Sequence, residues 1–107
     1  MYSLQTQEQI EALLEKYGLP YSFSHFSEAT APPFIVWVCP QTDNFNADNS
    51  VYFAIPSFEI ELYSRVDVPN EEAKLETFLT SKGIAWDKIS QTWIDEEKVM
   101  MTVYEVS

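Results

Sequence analysis

Phe58-Glu59-Ile60-Glu61-Leu62-Tyr63 is the stretch on which the reading of this chain turns. Side chains along a strand point alternately to opposite sides, so Phe58, Ile60 and Leu62 share one face. Glu59, Glu61 and Tyr63 share the other. This alternation marks an antiparallel strand with one face on a core. Glu59 and Glu61 then stand ~6–7 Å apart by strand rise.

On the N-terminal side the same period of two continues. Val51 to Ile55 reads as a strand, and Pro56 marks a bulge, edge or break. Phe34-Ile35-Val36-Trp37-Val38-Cys39 is apolar throughout, as a strand covered on both faces would be. Tyr21 to Phe26 alternates aromatic and hydroxyl side chains, and Ala31-Pro32-Pro33 ends it. Pro40 to Asn49 is a polar loop with one aromatic, Phe45.

At the N-terminus the period changes to that of a helix. Ile10, Leu13, Leu14 and Tyr17 form one apolar stripe. Thr6 and Gln9 have capping-box spacing, Gly18 suits a left-handed cap, and Pro20 forbids continuation. A second helix follows the Asp67-Val68-Pro69-Asn70 turn, with Glu71 and Glu72 in its first turn. Leu75, Phe78 and Leu79 form its stripe. Lys82 and Gly83 close it, and Ile84 is placed to cover the cap.

Two strands complete the chain, near Trp86 to Ile94 and Lys98 to Val106, joined by a turn at Asp95-Glu96-Glu97-Lys98. Both faces of the last strand are largely apolar, so either it is central or its second face meets a partner. The order is helix, about four strands, helix, two strands. The expected fold is α+β, a mostly antiparallel sheet of five or six strands with two helices on one face. Residues 1–107 form a single domain in this reading.

Composition narrows function by exclusion. Six Lys+Arg against seventeen Asp+Glu give a formal net charge of -11. Such a surface argues against nucleic acid as a direct ligand, because phosphates bind basic surfaces. Hydrophobic residues at 46% and aromatics at 15% are too many for a disordered tail. One cysteine excludes an intramolecular disulfide framework and a multi-cysteine zinc site, and a free thiol fits a reducing compartment. There is neither a signal-peptide pattern nor an apolar run long enough to span a membrane.

No catalytic constellation emerges. His25 falls in the Tyr21/Phe23 register and reads as an ordinary sheet residue. Cys39 ends an apolar strand with no adjacent base, so it reads as a buried structural thiol. The loop from Asn44 puts Asn49 and Ile55 where a calcium loop needs Gly and Glu. Glycosidases bring paired carboxylates from different elements across a cleft, whereas Glu59 and Glu61 lie on one strand. The expectation is a non-enzyme without metal or cofactor. Aromatics in excess of one small core suggest interface anchors instead.

The chain resembles the small tail-terminator, or tail-completion, proteins of long-tailed phages and prophages of Gram-positive bacteria. The resemblance rests on Tyr17-Gly18-Leu19-Pro20, Pro32-Pro33-Phe34-Ile35-Val36 and Asn44-Phe45-Asn46-Ala47-Asp48-Asn49 leading into Val51-Tyr52-Phe53. Phe58 to Tyr63, Gly83-Ile84, Trp93-Ile94 and Val103-Tyr104-Glu105-Val106 complete it. It implies a virion structural protein that caps the head-proximal end of the tail tube as a ring, commonly a hexamer, and supports head–tail joining. Its partners would be copies of itself, the major tail tube protein and head–tail connector proteins. It would act in the host cytoplasm during assembly and then in the virion tail. On this reading Asp43, Asn44, Phe45, Asn46, Asp48, Met100 and Tyr104 contact a neighbour. Glu59 and Glu61 would face the lumen, where negative charge keeps passing DNA from sticking. Three alternatives stand: another head–tail adaptor, an acidic DNA mimic that inhibits a host nucleic-acid-binding protein, or a small-molecule-binding module.

Overall fold

The computed structural model describes residues 6–39, 58–65 and 70–107. The expected strand at Val51 to Ile55, the polar loop before it and the turn at Asp67 to Pro69 lie outside those residues. The described elements are α1 (Gln7–Tyr17), β1 (Tyr21–Phe23), β2 (Phe34–Val38), β3 (Phe58–Ser64), α2 (Glu71–Ser81), β4 (Trp86–Ile94) and β5 (Val99–Val106). They form an α+β fold in which both helices pack on one face of a five-stranded sheet ordered β1-β2-β3-β5-β4.

Helix α1 begins and ends as its sequence dictates. The Gln9 amide donates to Thr6 Oγ1 at 3.1 Å and the Thr6 amide donates to Gln9 Oε1 at 3.0 Å, closing the capping box. Gly18 takes φ +101° and its amide donates to the Leu14 carbonyl. Ile10, Leu13 and Leu14 are buried, each burial contributing about 1.5–3 kcal/mol. Helix α2 ends in a Schellman arrangement. Gly83 donates to the Thr80 carbonyl and Ile84 to the Leu79 carbonyl, both at 3.0 Å, and Ile84 is buried over the cap.

The helix-covered face of the sheet carries Ile35, Trp37, Phe58, Ile60, Leu62, Tyr104 and Val106. Strand β3 alternates fully, with Phe58, Ile60, Leu62 and Ser64 buried and the residues between them partly exposed. Strand β5 is central, between β3 and β4. This settles why both its faces are apolar: Tyr104 and Val106 meet the helices while Val99 and Val103 are buried on the other side.

Three local expectations change. The first strand stops at Phe23, because Ser24 turns to φ +70° and His25 donates its amide back to the Phe23 carbonyl. It pairs with β2 in parallel, the one parallel pair among the described strands. His25 is therefore an exposed loop residue and not a sheet residue. Cys39 lies one residue beyond β2 and is exposed, so the apolar run ahead of it does not bury it.

A polar network fastens α2 to the β4–β5 hairpin. Lys88 donates to Glu72 and Glu76 at 2.9 Å each. Tyr104 Oη donates to Glu76 at 2.7 Å, and Gln91 Nε2 donates to Glu72 at 2.7 Å and to Thr102 at 3.0 Å. Burial pushes the Tyr104 hydroxyl up, and the Glu76 carboxylate pushes it further. At the junction of the two helices, Tyr17 Oη donates to Glu71 at 2.7 Å and the Tyr17 and Phe78 rings meet at 5.0 Å.

Candidate functional site

Three surface features stand out once the strand order is known. The first is the outer edge of β4. This nine-residue strand is exposed or half-exposed along its whole length. A bulge at Lys88/Ser90 leaves Ile89 without a partner on β5, and Ile89 is 47% exposed. Trp93 is 41% exposed near the far end. Edge strands offer unpaired amides and carbonyls to a further strand, and natural proteins blunt them with charges, bulges or brevity. The bulge and Asp87 guard the first half of β4. Among the described residues, neither a charge nor a bulge guards Gln91 to Ile94. The opposite edge, β1, is three residues long.

The second feature is acidic. Pairing sets Glu59 against Glu105, and Glu105 against Asp87, on the face away from the helices. Glu61 stands on the same face and accepts the Tyr63 hydroxyl at 2.9 Å. Directly opposed side chains have Cβ atoms about 4.5–5.5 Å apart, where like charges oppose pairing. The shared strand face expected for Glu59 and Glu61 is present. Glu105 and Asp87 belong to the same row, which only cross-strand pairing could reveal. Among the described residues no group of three or more His, Cys, Asp or Glu is placed to hold a metal ion.

The third feature is a hollow of about 540 Å³ at the end of the sheet where β2 and β5 begin and β3 and β4 end. Its floor is Phe34, Val36, Tyr63, Ile94 and Val99. The segment after β1 folds over it, bringing Phe26 edge-on to Phe34 at 5.1 Å. Phe34 and Tyr63 stack at 4.8 Å and 19°. Burial pushes the Tyr63 hydroxyl above its ordinary range, reinforced by its hydrogen bond to Glu61 and by the charges of Glu61 and Glu97.

The expected contact residues divide. Asp43, Asn44, Phe45, Asn46 and Asp48 lie outside the described residues. Met100 is partly buried, paired with Trp93 and Ser64. Tyr104 corrects the expectation of a partner-facing anchor. It is 0% exposed, its ring packed edge-on against Trp86 at 5.8 Å and its hydroxyl held by Glu76. With both faces of β5 apolar, the sequence does not say which face the helices take, and they take the one that carries Tyr104.

Among the described residues no helix is long and apolar enough to cross a membrane. Neither a protein-family model nor a curated protein matches the chain.

Proposed function

We propose that this chain is a virion structural protein of a long-tailed phage or prophage, capping the head-proximal end of the tail tube as a ring. The observation that carries the reading is the inequality of the two sheet edges. A ring closes through head-to-tail contacts between unlike surfaces, whereas a two-fold dimer joins like to like. The long β4 edge, with Ile89 and Trp93 exposed, and the short β1 edge are such unlike surfaces. The acidic row of Glu59, Glu105 and Asp87 supplies the wall expected of a channel that DNA crosses without binding. In this reading copies of the chain meet one another, the tail tube protein and connector proteins. The place of action is the host cytoplasm and then the virion tail.

Deleting the gene from the producing phage tests this. Overlong tail tubes and headless tails are expected, and normal virions would overturn the reading. The acidic row also favours a second reading, a DNA mimic that occupies the binding groove of a host protein. Competition by the purified chain with duplex DNA for that protein, alongside normal virions from the deletion, would establish the mimic instead.

A further inference from the structure

Strands β1 and β4, the outer ones among those described, match each other in direction, face and length. Along β1 the Pro20 carbonyl accepts the Ile35 amide and the Ser24 amide donates to the Trp37 carbonyl. Backbone groups alternate sides along a strand, so the even-numbered residues face β2 and the amides of Tyr21 and Phe23 point away from it. The Phe23 carbonyl already accepts the His25 amide. Strand β1 runs parallel to β2, and three antiparallel pairings then lead to β4, so β4 runs opposite to β1. Copies laid edge to edge in one sheet keep their strand directions. The β4 strand of one copy would then meet β1 of the next antiparallel, the more stable ladder.

We propose that the β4 edge takes the β1 edge of a second copy of this chain, with Trp93 opposite Tyr21, Thr92 opposite Ser22 and Gln91 opposite Phe23. The pairing rests on the ring reading, and the chain fixes its register from both ends. Ser24 turns away at φ +70° opposite Ser90, where the bulge of β4 lies. Pro20, which has no amide, falls opposite Ile94, the last residue of β4. Side chains agree by face. Tyr21 and Phe23 lie on the helix side, Tyr21 packed on the core and Phe23 meeting the Trp37 ring at 4.6 Å. Trp93 and Gln91 lie on that side too, opposite Met100 and Thr102, which pair with Ser64 and Leu62. Tyr21 thus meets Trp93 as an aromatic pair, and on the other face Ser22 meets Thr92 as a hydroxyl pair. Phe23 and Trp93, 52% and 41% exposed, both become part of the contact. Neither Tyr21 to Phe23 nor Ser90 to Ile94 contains a charged residue, so two acidic chains meet where neither puts a charge. Every copy then turns its helices to one side of the continuous sheet and its acidic row to the other. Pairing β4 with β4 would leave the outward amides of β1 unused and give two-fold dimers instead of a ring.

Disulfide trapping in the full chain, with Cys39→Ser as background, tests the pairing. Ser22 and Thr92 would form a pair without hydrogen bonds, whose Cα atoms stand about 4.5 Å apart, within disulfide reach. Within one chain they lie on the two outer strands of five, about 19 Å apart by strand spacing and beyond bridging. Oxidised at about 1 M salt, which screens repulsion between acidic chains, Ser22→Cys/Thr92→Cys is expected to give covalent dimers and larger species. Ser22→Cys alone and Thr92→Cys alone are expected to stay monomeric. In the cross-linked species the Tyr21 and Phe23 amides should exchange roughly 5- to 10-fold more slowly, the worth of one hydrogen bond. Cross-links without that slowing would mean chance collision and would overturn the pairing. So would dimers from Thr92→Cys alone, which would show β4 pairing with itself. No cross-linking of the double variant would also overturn it, leaving the ring to the gene deletion. Cross-linked chains of unlimited length would keep the pairing and remove the ring, whereas a series that ends at one closed size supports both.

Discussion

Lys88 is the residue whose replacement most directly tests how α2 is held on the sheet. Lys88→Met keeps the apolar stem and removes the charge. Two contacts of 2.9 Å are lost, to Glu72 and Glu76. The lysine side chain is 38% exposed, so each pair counts near the surface value of about 0.5–1 kcal/mol. The ammonium also lies 5.8 Å over the Tyr104 ring, a contact of about 0.5–1 kcal/mol. Neither carboxylate is orphaned, because Glu72 keeps Gln91 and Glu76 keeps Tyr104. The expected loss is about 1–2 kcal/mol, since these terms are not fully additive. In a domain of this size that lowers Tm by about 4–10 °C.

The pH dependence gives the prediction its sign. Burial alone would push the Glu76 carboxyl up, but the Lys88 ammonium and Tyr104 hydroxyl outweigh it and hold it below the usual range. A depressed carboxyl contributes stability that is complete above its unfolded value and is lost as pH falls through its folded value. Lys88 is held above its ordinary value by Glu76 and Glu72, so its share is lost as pH climbs through that raised value. The gap between native chain and variant should therefore be widest near neutrality and shrink below about pH 4. Urea melts followed by tryptophan fluorescence at neutral pH and at about pH 3 measure it. A gap of the same size at both pH values, or no gap at neutrality, would refute the reasoning.

Two further substitutions probe the helix ends. Tyr17→Phe removes the hydroxyl that Glu71, 6% exposed, accepts at 2.7 Å, and should cost about 1.5–3 kcal/mol in a thermal melt. A loss below about 0.5 kcal/mol would show that Glu71 finds another donor. Gly18→Ala meets no atom within 4 Å of its new Cβ, so only the backbone at φ +101° resists it. The expected cost is about 1–2 kcal/mol, and an unchanged melting curve would contradict the left-handed cap.

Much of the fold was legible because its signals are local. Thr6 with Gln9, Gly18, and Lys82-Gly83-Ile84 each act within one turn of chain, so the start of α1 and the ends of both helices can be read without a partner. The β4–β5 hairpin is legible for the same reason, its four polar turn residues, Asp95 to Lys98, lying between two strand-like runs. The strand from Tyr21 is shorter than its alternation suggests, since alternation cannot reveal that Ser24 adopts a left-handed turn. Cys39 lies past the last paired residue, Val38, which is itself only partly buried, and an apolar run does not show where pairing stops. The candidate site was less legible still. His25, Glu28 and Glu97 come together only when the segment after β1 folds across the sheet, and no spacing in the chain announces that.

The sequence by itself determined the two helices, the alternating strand Phe58 to Tyr63, the acidic balance of -11 and the α+β class. Periodicity, caps and composition act through neighbours in the chain. Tertiary structure alone decided that β5 lies between β3 and β4, that β4 is an edge among the described strands, and that Tyr104 is core. It also decided that Glu59, Glu105 and Asp87 share a row and that three aromatic rings and two carboxylates line one hollow. Those juxtapositions are cross-strand and cross-loop. They depend on which strand pairs with which and on the face the helices cover, and both follow from burying the whole apolar set at once.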